Sequence, residues 1–435
     1  MRGLHAYHRE YRTQPREGNA PCWVIAGTGM LMLAFVSGSL QSEHSTFFKT
    51  SHLMNMVDND SGAQTNASAL FTDAMGIRAR SGTMYTGDSI QGVPVISLLD
   101  INDLEPGVKR RFFFQGAQMG SGQHWYVPVV VAKGAQGGKR VLLTAGVHGD
   151  ELSPVDAVQR IMAGLDPARI SGAVVAIYGL ARPATEYIQR KWPIPQGGGS
   201  LIDFNRVWPG NETGNNTPTR HAGLLWNRLF INNVDVALDY HTASTGGDFT
   251  MFIFADFRNP EIRQIAELFP CEQIKNDPGQ SGSLETAFNE AGIPAITVEI
   301  GGPRVFNARK IAMTIEGSMN VLRHYQVIEG PMGRTSREAE TFFGDEFEII
   351  RSTAGGFLEL LVDLNDKVTS GQEVAIQRNF FGDVVAEYTT HVAGKIATIA
   401  RDALSEPGAR VLEILYDSTA PKDNAGTSHK PGDDY

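Results

Sequence analysis

Cysteine is scarce in this sequence: Cys22 and Cys271 are the only two in 435 residues. Two thiols cannot build a disulfide scaffold or a thiolate zinc site. Any bound metal must therefore be held by histidine and carboxylate. Positive charge is also in deficit, with 38 Lys and Arg against 48 Asp and Glu and a formal net charge of −10. A nucleic-acid binder needs a basic face for the phosphates, so this balance argues against such a partner. What remains is an ordinary globular composition, 42% hydrophobic and 20% charged. The length implies two or three domains, because single cores rarely grow past about 250–300 residues. The 47 glycines and 21 prolines imply many tight turns, as in an α/β or β-rich enzyme.

No charged residue occurs from Gly18 to Ser42, and Arg2, Arg9, Arg12 and Arg16 precede that stretch. It reads as a signal peptide, as an upstream start with Met54 the true first residue, or as a membrane anchor. The location is cytoplasmic, or exported if residues 18–42 are a signal. A membrane is engaged only if that segment is an uncleaved anchor. Residues 1–50 are thus a leader and 51–105 a polar N-terminal arm without sustained periodicity. The Asn-x-Ser/Thr sequons at Asn66 and Asn211 are chance matches unless the chain is secreted.

From about residue 110 strands and helices alternate. Tyr126 to Ala132, Arg140 to Ala145, Ala173 to Tyr178, Val234 to Tyr240, Phe249 to Phe254 and Ile293 to Ile300 are strand-like runs. Ser153 to Leu165, Pro260 to Phe269 and Ala308 to Tyr325 have helical spacing. The expected fold over 106–332 is α/β, a mixed sheet covered by helices on both faces. Beyond residue 335 the runs shorten, with strands expected at Phe347 to Ser352, Gly356 to Leu361, Glu373 to Ile376 and Val411 to Tyr416. Residues 340–418 read as a small all-β domain, and 419–435 as a disordered tail.

Chemistry concentrates at strand ends. In Gly146-Val-His-Gly-Asp-Glu151, His148 and Glu151 lie three apart where a strand gives way to a helix. An imidazole and a carboxylate so placed can converge on one cation, although a helix-capping pair would look the same. Asp239-Tyr-His241 closes another strand, and ligands of open α/β sheets bind at that carboxyl edge. Two His and one Glu leave a fourth position for water, the arrangement of catalytic zinc. Asp239 either orients a ligand or forms the turn.

Glu299, in Thr-Val-Glu-Ile-Gly-Gly, sits inside an apolar strand, where a carboxylate is costly unless functional or paired with an arginine. As a base it could take a proton from water and deliver it to a leaving amine. In Asp203-Phe-Asn-Arg206, Arg206 offers a planar fork for a carboxylate and Asn205 a further donor. Arg190 is the candidate for polarising a scissile carbonyl, with Arg182 and Lys191 as neighbours that could serve instead.

Taken in order, these four motifs resemble the succinylglutamate desuccinylase/aspartoacylase family of the zinc carboxypeptidase-like clan, over about residues 110–330 and into the C-terminal β region. The resemblance implies that His148, Glu151 and His241 bind one Zn2+ per subunit. It further implies that Glu299 is the general base and that Asn205 and Arg206 hold a substrate carboxylate. The family's carbonyl-polarising Arg falls just before the Asn-Arg pair. Here Arg190 is farther off, across a Pro-Ile-Pro-Gln-Gly-Gly-Gly insertion. The segment Asp363 to Gly371 looks like part of a barrel-sandwich hybrid, with Lys395 the nearest match to a carrier lysine but no Met beside it. That domain reads as a lid or assembly surface.

The expected function is hydrolysis of an N-acyl amino acid or similar small carboxylate, with a homo-oligomer compatible with the sequence. The alternatives are a metallocarboxypeptidase acting on peptides and a relative that binds a ligand without hydrolysing it.

Overall fold

Four runs of aliphatic and β-branched residues form the centre of one large sheet, because their side chains are buried on both sides. The computed structural model describes residues 82–420. The chain opens with β1 (Met84–Ile90), β2 (Val93–Leu98), β3 (Val108–Gln118), β4 (His124–Lys133) and β5 (Gln136–Ala145). Next come α1 (Ser153–Gly164), β6 (Ser171–Tyr178), α2 (Arg182–Glu186), a hairpin of β7 (Trp192–Ile194) and β8 (Ser200–Ile202), and α3 (Thr217–Leu225). They are followed by β9 (Val236–His241), β10 (Gly247–Phe249), β11 (Met251–Ala255), α4 (Pro260–Glu267), β12 (Gln273–Asn276), α5 (Leu284–Glu290), β13 (Ala295–Ile300) and α6 (Ala308–His324). With β14 (Phe342–Gly344), eleven of these strands make a mixed sheet in the order β1-β2-β3-β4-β6-β5-β9-β13-β11-β12-β14.

At the centre β5, β9 and β13 run parallel, so their carboxyl ends share one edge. Alternation along the strands feeds two cores. Val141, Leu143 and Ala145 face α1, α4 and α6, while Leu142 faces α3 and α5. The α1 helix forms because Pro154 suits its first turn and Ala157, Val158, Ile161 and Met162 share the buried face. Asn307 starts α6 by accepting a hydrogen bond from the Lys310 amide.

Two differences from the sequence reading stand out. Residues 84–98, taken above as part of the arm, pair as β1 and β2 at the sheet edge. β1 is exposed over six of its seven residues and β2 is only six residues long, so the apolar signal is thin. The single strand expected over 249–254 divides into β10 and β11, which enter different sheets. The leader at 18–42, the alternative start at Met54, Asn66 and the tail from Pro421 lie outside the described residues. None of the described helices is long and apolar enough to cross a membrane.

The remaining strands are β15 (Glu346–Arg351), β16 (Gly356–Leu360), β17 (Lys367–Val368), β18 (Glu373–Arg378), β19 (Val384–Thr389), β20 (Gly394–Ala400), β21 (Leu404–Ser405) and β22 (Arg410–Tyr416). They form antiparallel sheets in the orders β10-β20-β22-β15 and β19-β18-β16-β21 around a core of Val368, Val374, Ile396, Leu412 and Ile414. Lys395 lies inside the β20 ladder, opposite Lys367 and Leu415, and not at a hairpin tip. The first of these sheets borrows β10, which pairs Phe249 with Thr398 and Gly247 with Ala400. Phe347 also packs edge-on against Phe252 and Phe254.

Candidate active site

The turn after β5 brings His148 and Glu151 together because its glycines leave room. Gly146 has φ of +76°, and a Cβ on Gly149 would lie 2.0 Å from the backbone of Ala184. His148 Nδ1 lies 2.7 Å from Glu151 Oε1, and His241 Nδ1, at the end of β9, lies 2.9 Å from Glu151 Oε2. All three residues are buried, and their candidate ligand atoms lie within 4.8 Å of one another.

The far nitrogens are held as well. His148 Nε2 donates to Asp203 Oδ1 at 3.0 Å, and His241 Nε2 donates to Asp239 Oδ2 at 2.9 Å. Thr144 Oγ1 in turn donates to Asp239 at 2.6 Å. A carboxylate can only accept, so each Nε2 carries a proton and each Nδ1 turns its lone pair to the centre when unprotonated. This is the carboxylate–histidine arrangement that orients metal ligands. Of the two roles left open for Asp239, it takes that of orienting a histidine.

Charge reinforces the grouping. Burial alone would raise the Glu151 pKa, but the two imidazoles outweigh it and hold the carboxyl well below its usual range. Burial opposes a charged His241, yet Asp239 and Glu151 together raise its pKa. Asp203 is likewise held low, because His148, Arg190 and the Asn205 amide overcome its burial. Two nitrogens and a carboxylate at this spacing suit a divalent cation with affinity for N and O ligands, which would take the place of the protons on the Nδ1 atoms.

Glu299 lies on β13 directly opposite His241 on β9. It is buried, and its Oε2 has no hydrogen-bond partner among the described residues. Burial pushes its pKa up to about 8, with His241 and Arg190 opposing and Glu151 and Asp239 adding to the rise. Arg190, whose charge reaches Glu299, is itself paired with Asp203 and Glu151.

Arg190 reaches the centre despite the β7–β8 insertion that separates it from the Asn-Arg pair. Its Nη1 donates to Ser244 Oγ at 2.8 Å and lies 3.4 Å from Glu151 Oε1, while Nε donates to Asp203 Oδ2 at 3.2 Å. Arg182, by contrast, pairs with Glu186 within α2. Asn205 is buried, and its Oδ1 accepts from the Leu284 amide at the start of α5. Arg206 is exposed, with its guanidinium donating to the Asn205 carbonyl at 2.7 Å. The structure thus gathers His148, Glu151, His241, Glu299 and Arg190, sets Asn205 beside them through Asp203, and leaves Arg206 at the surface. Ser244 and Thr242 were not singled out from the sequence. The one signal for them is their place in a hydroxyl-rich loop directly after His241.

A large mixed α/β sheet with a buried His-Glu-His group at its strand ends is the class that fold and site define together. Residues 137–325 match the family model described as the succinylglutamate desuccinylase/aspartoacylase catalytic domain. It is similar to N-alpha-acetyl-L-2,4-diaminobutyric acid deacetylase of Halomonas elongata, 28% identical over 57% of this chain and 73% of that protein. A succinylglutamate desuccinylase of Pseudomonas paraeruginosa is 26% identical over 42% of this chain and 59% of its own. Both relatives are deacylases by name. Among solved structures, the succinylglutamate desuccinylase/aspartoacylase of Rhodobacter sphaeroides has a TM-score of 0.63 at 23% identity, covering 73% of this chain and 98% of that one. The product-bound ectoine utilization protein EutE (DoeB) of Ruegeria pomeroyi has a TM-score of 0.65 at 21% identity, covering 78% and 99%. These two structures show the same fold.

Proposed function

We propose that this chain is a zinc-dependent deacylase that hydrolyses the amide of an N-acyl amino acid or a similar small carboxylate. The observation that carries the reading is the convergence of His148 Nδ1, Glu151 and His241 Nδ1, each histidine fixed from behind by a carboxylate. These three residues would hold the ion. When bound, zinc supplies Lewis-acid polarisation of the scissile carbonyl and of the attacking water.

Glu299 accepts the proton that water loses as its oxygen bonds to the carbonyl carbon. As the C–N bond breaks, Glu299 returns that proton to the nitrogen, and a carboxylate and an amine leave. Its bare Oε2 and its burial, which makes it a stronger base than an exposed glutamate, suit both transfers. Arg190 donates to the carbonyl oxygen as negative charge develops there. With the Asn205 Oδ1 engaged by α5, its NH2 group is the donor for the substrate carboxylate, and Arg206 adds a charged fork at the mouth. The deacylase names of the relatives favour this chemistry over peptide cleavage. The C-terminal antiparallel sheets we read as a barrel-sandwich-like support beside the site, and Lys395, fixed in a ladder, does not act as a carrier.

Zinc-loaded protein should release acid from at least one member of a panel of N-acetyl, N-succinyl and N-formyl amino acids, and from none of a dipeptide panel. His148→Ala and His241→Ala should lose most of their zinc in elemental analysis. Turnover of dipeptides alone, or near-stoichiometric zinc in both variants, would overturn the reading.

A further inference from the structure

Arg190 must be held still if it is to meet a developing oxyanion, and its surroundings show how this is done. Its Nη1 has three neighbours: Ser244 Oγ at 2.8 Å, His148 Nδ1 at 3.2 Å and Glu151 Oε1 at 3.4 Å. The last two are ligand atoms in the proposed centre. The one lone pair of an imidazole nitrogen cannot serve a cation and an arginine together. Glu151 Oε1 has a second lone pair but lies at the long limit of 3.4 Å, so two close holders remain. Asp203 grips the Nε edge, and Ser244 grips Nη1. With Asp203 alone, the guanidinium can pivot about that edge.

Ser244 is itself fixed on both sides. The Ala243 amide donates to the Gly301 carbonyl at 2.8 Å, next to the Glu299 strand. Thr245 donates through its amide and its hydroxyl to Asp150 Oδ2, at 3.0 and 2.7 Å. Asp150 is fully buried and lies between His148 and Glu151 in the chain, so the turn that presents two ligands also anchors this loop. The Gly247 amide closes back on the Ser244 carbonyl at 3.0 Å just as the chain enters β10. The hydroxyl therefore stands at a place defined by the ligand turn and the base strand.

We propose that Ser244 is a positioning residue for Arg190, acting through the Oγ that accepts from Nη1. The proposal rests on the deacylase reading and on the role of Arg190 within it. An oxyanion donor that drifts loses value mainly in the transition state, so the defect belongs in kcat more than in KM. Misplacement of a catalytic group by about 1 Å can lower rate on the order of 10²-fold.

The test uses the full-length zinc-loaded enzyme and its best N-acyl substrate. Ser244→Ala should lower kcat by roughly 10- to 100-fold with KM changed less than about threefold. Zinc content and thermal midpoint should stay at wild-type values. Ser244→Thr, which keeps the hydroxyl, should recover most of the loss. In an Arg190→Ala background, Ser244→Ala should have no further effect. A phosphonyl analogue that mimics the tetrahedral carbonyl should bind Ser244→Ala more weakly by about the same factor as kcat, while the product amino acid binds as before. Wild-type kcat in Ser244→Ala, or an added loss in the Arg190→Ala background, would overturn the proposal. Loss of zinc from Ser244→Ala would overturn it too, by assigning the residue to the metal centre. Failure of wild type on every N-acyl amino acid would instead bring down the deacylase reading, and this inference with it.

Discussion

Glu299 and Glu285 are both buried glutamates whose pKa burial pushes up to about 8. Their hydrogen bonds separate them. Glu285 accepts from Asn289 Nδ2 and Thr286 Oγ1, whereas Glu299 keeps a bare oxygen opposite His241. An elevated proton affinity alone does not separate the two; the unengaged oxygen beside His241 does, and it is what the proposed base role rests on. Glu299→Gln preserves volume and removes the proton acceptor, so turnover should fall on the order of 10²–10⁴-fold with zinc retained. Steady-state kinetics alongside metal analysis checks this, and loss of zinc would recast Glu299 as a ligand.

His221 gives the second residue-scale expectation. Its Nδ1 accepts from the Ala117 amide and its Nε2 donates to the Leu180 carbonyl, so the buried ring is held neutral and burial lowers its pKa to about 4. Because the folded pKa lies below the unfolded value of about 6.5, the unfolded chain binds more protons between those values, and stability rises with pH there. As pH falls from 6.5 to 4 this site should forfeit on the order of 3 kcal/mol. Denaturant midpoints measured across that window should drop for wild type, and the decline should be shallower in His221→Asn.

The elements that sequence reasoning located most directly are those buried on both sides. Ala173 to Tyr178 is a continuous apolar run, and Ile293 to Ile300 is broken only by Thr297 and Glu299, because both line two cores at once. The strands at 84–98 escape that pattern, since an edge exposes polar residues that look like a linker. The helix Leu284–Glu290 is too short for its period to register, although Ser283 caps it. Within the site, His148, Glu151, His241 and Glu299 are legible because each sits where a strand ends. Ser244 is not, because its partner Arg190 lies 54 residues away and hydroxyls are common in loops. The approach of the ligand turn to α2 yields a test at this scale. A methyl group at Gly149 would press into the Ala184 backbone, which cannot yield as a side chain would. Gly149→Ala should destabilise by about 1–3 kcal/mol, as overpacking does, and weaken metal binding as His148 moves. Thermal melts with zinc titration read both effects.

Across the whole molecule, the junction between the large sheet and the C-terminal sheets is built from three kinds of contact. The β10–β20 ladder supplies backbone hydrogen bonds, Gln273 Nε2 donates to Asn365 Oδ1 and to the Ile396 carbonyl, and Asp248 accepts from Arg401. The Arg401 amide also donates to the Gly246 carbonyl, two residues from Ser244. The Asp248–Arg401 pair is half exposed and contributes little to global stability on its own. Its leverage is on the loop. Asp248→Ala should leave the melting temperature within about 1 °C, a shift of no more than about 1 kcal/mol for a chain this size. It should lower kcat severalfold, and parallel melting and kinetic measurements test the separation.

Phe249 waits for Thr398, a residue synthesised 149 positions later. A ribosome adding about 5–20 residues per second needs on the order of ten seconds to cover that gap. His148, His241 and Glu299 have all been made by then, yet the loop that follows His241 has no strand to join until β20 emerges and pairs with β22. A nascent chain stalled near residue 345 would therefore carry the reacting side chains in an unfinished frame. Activity should arise only after β20 and β22 have emerged and paired.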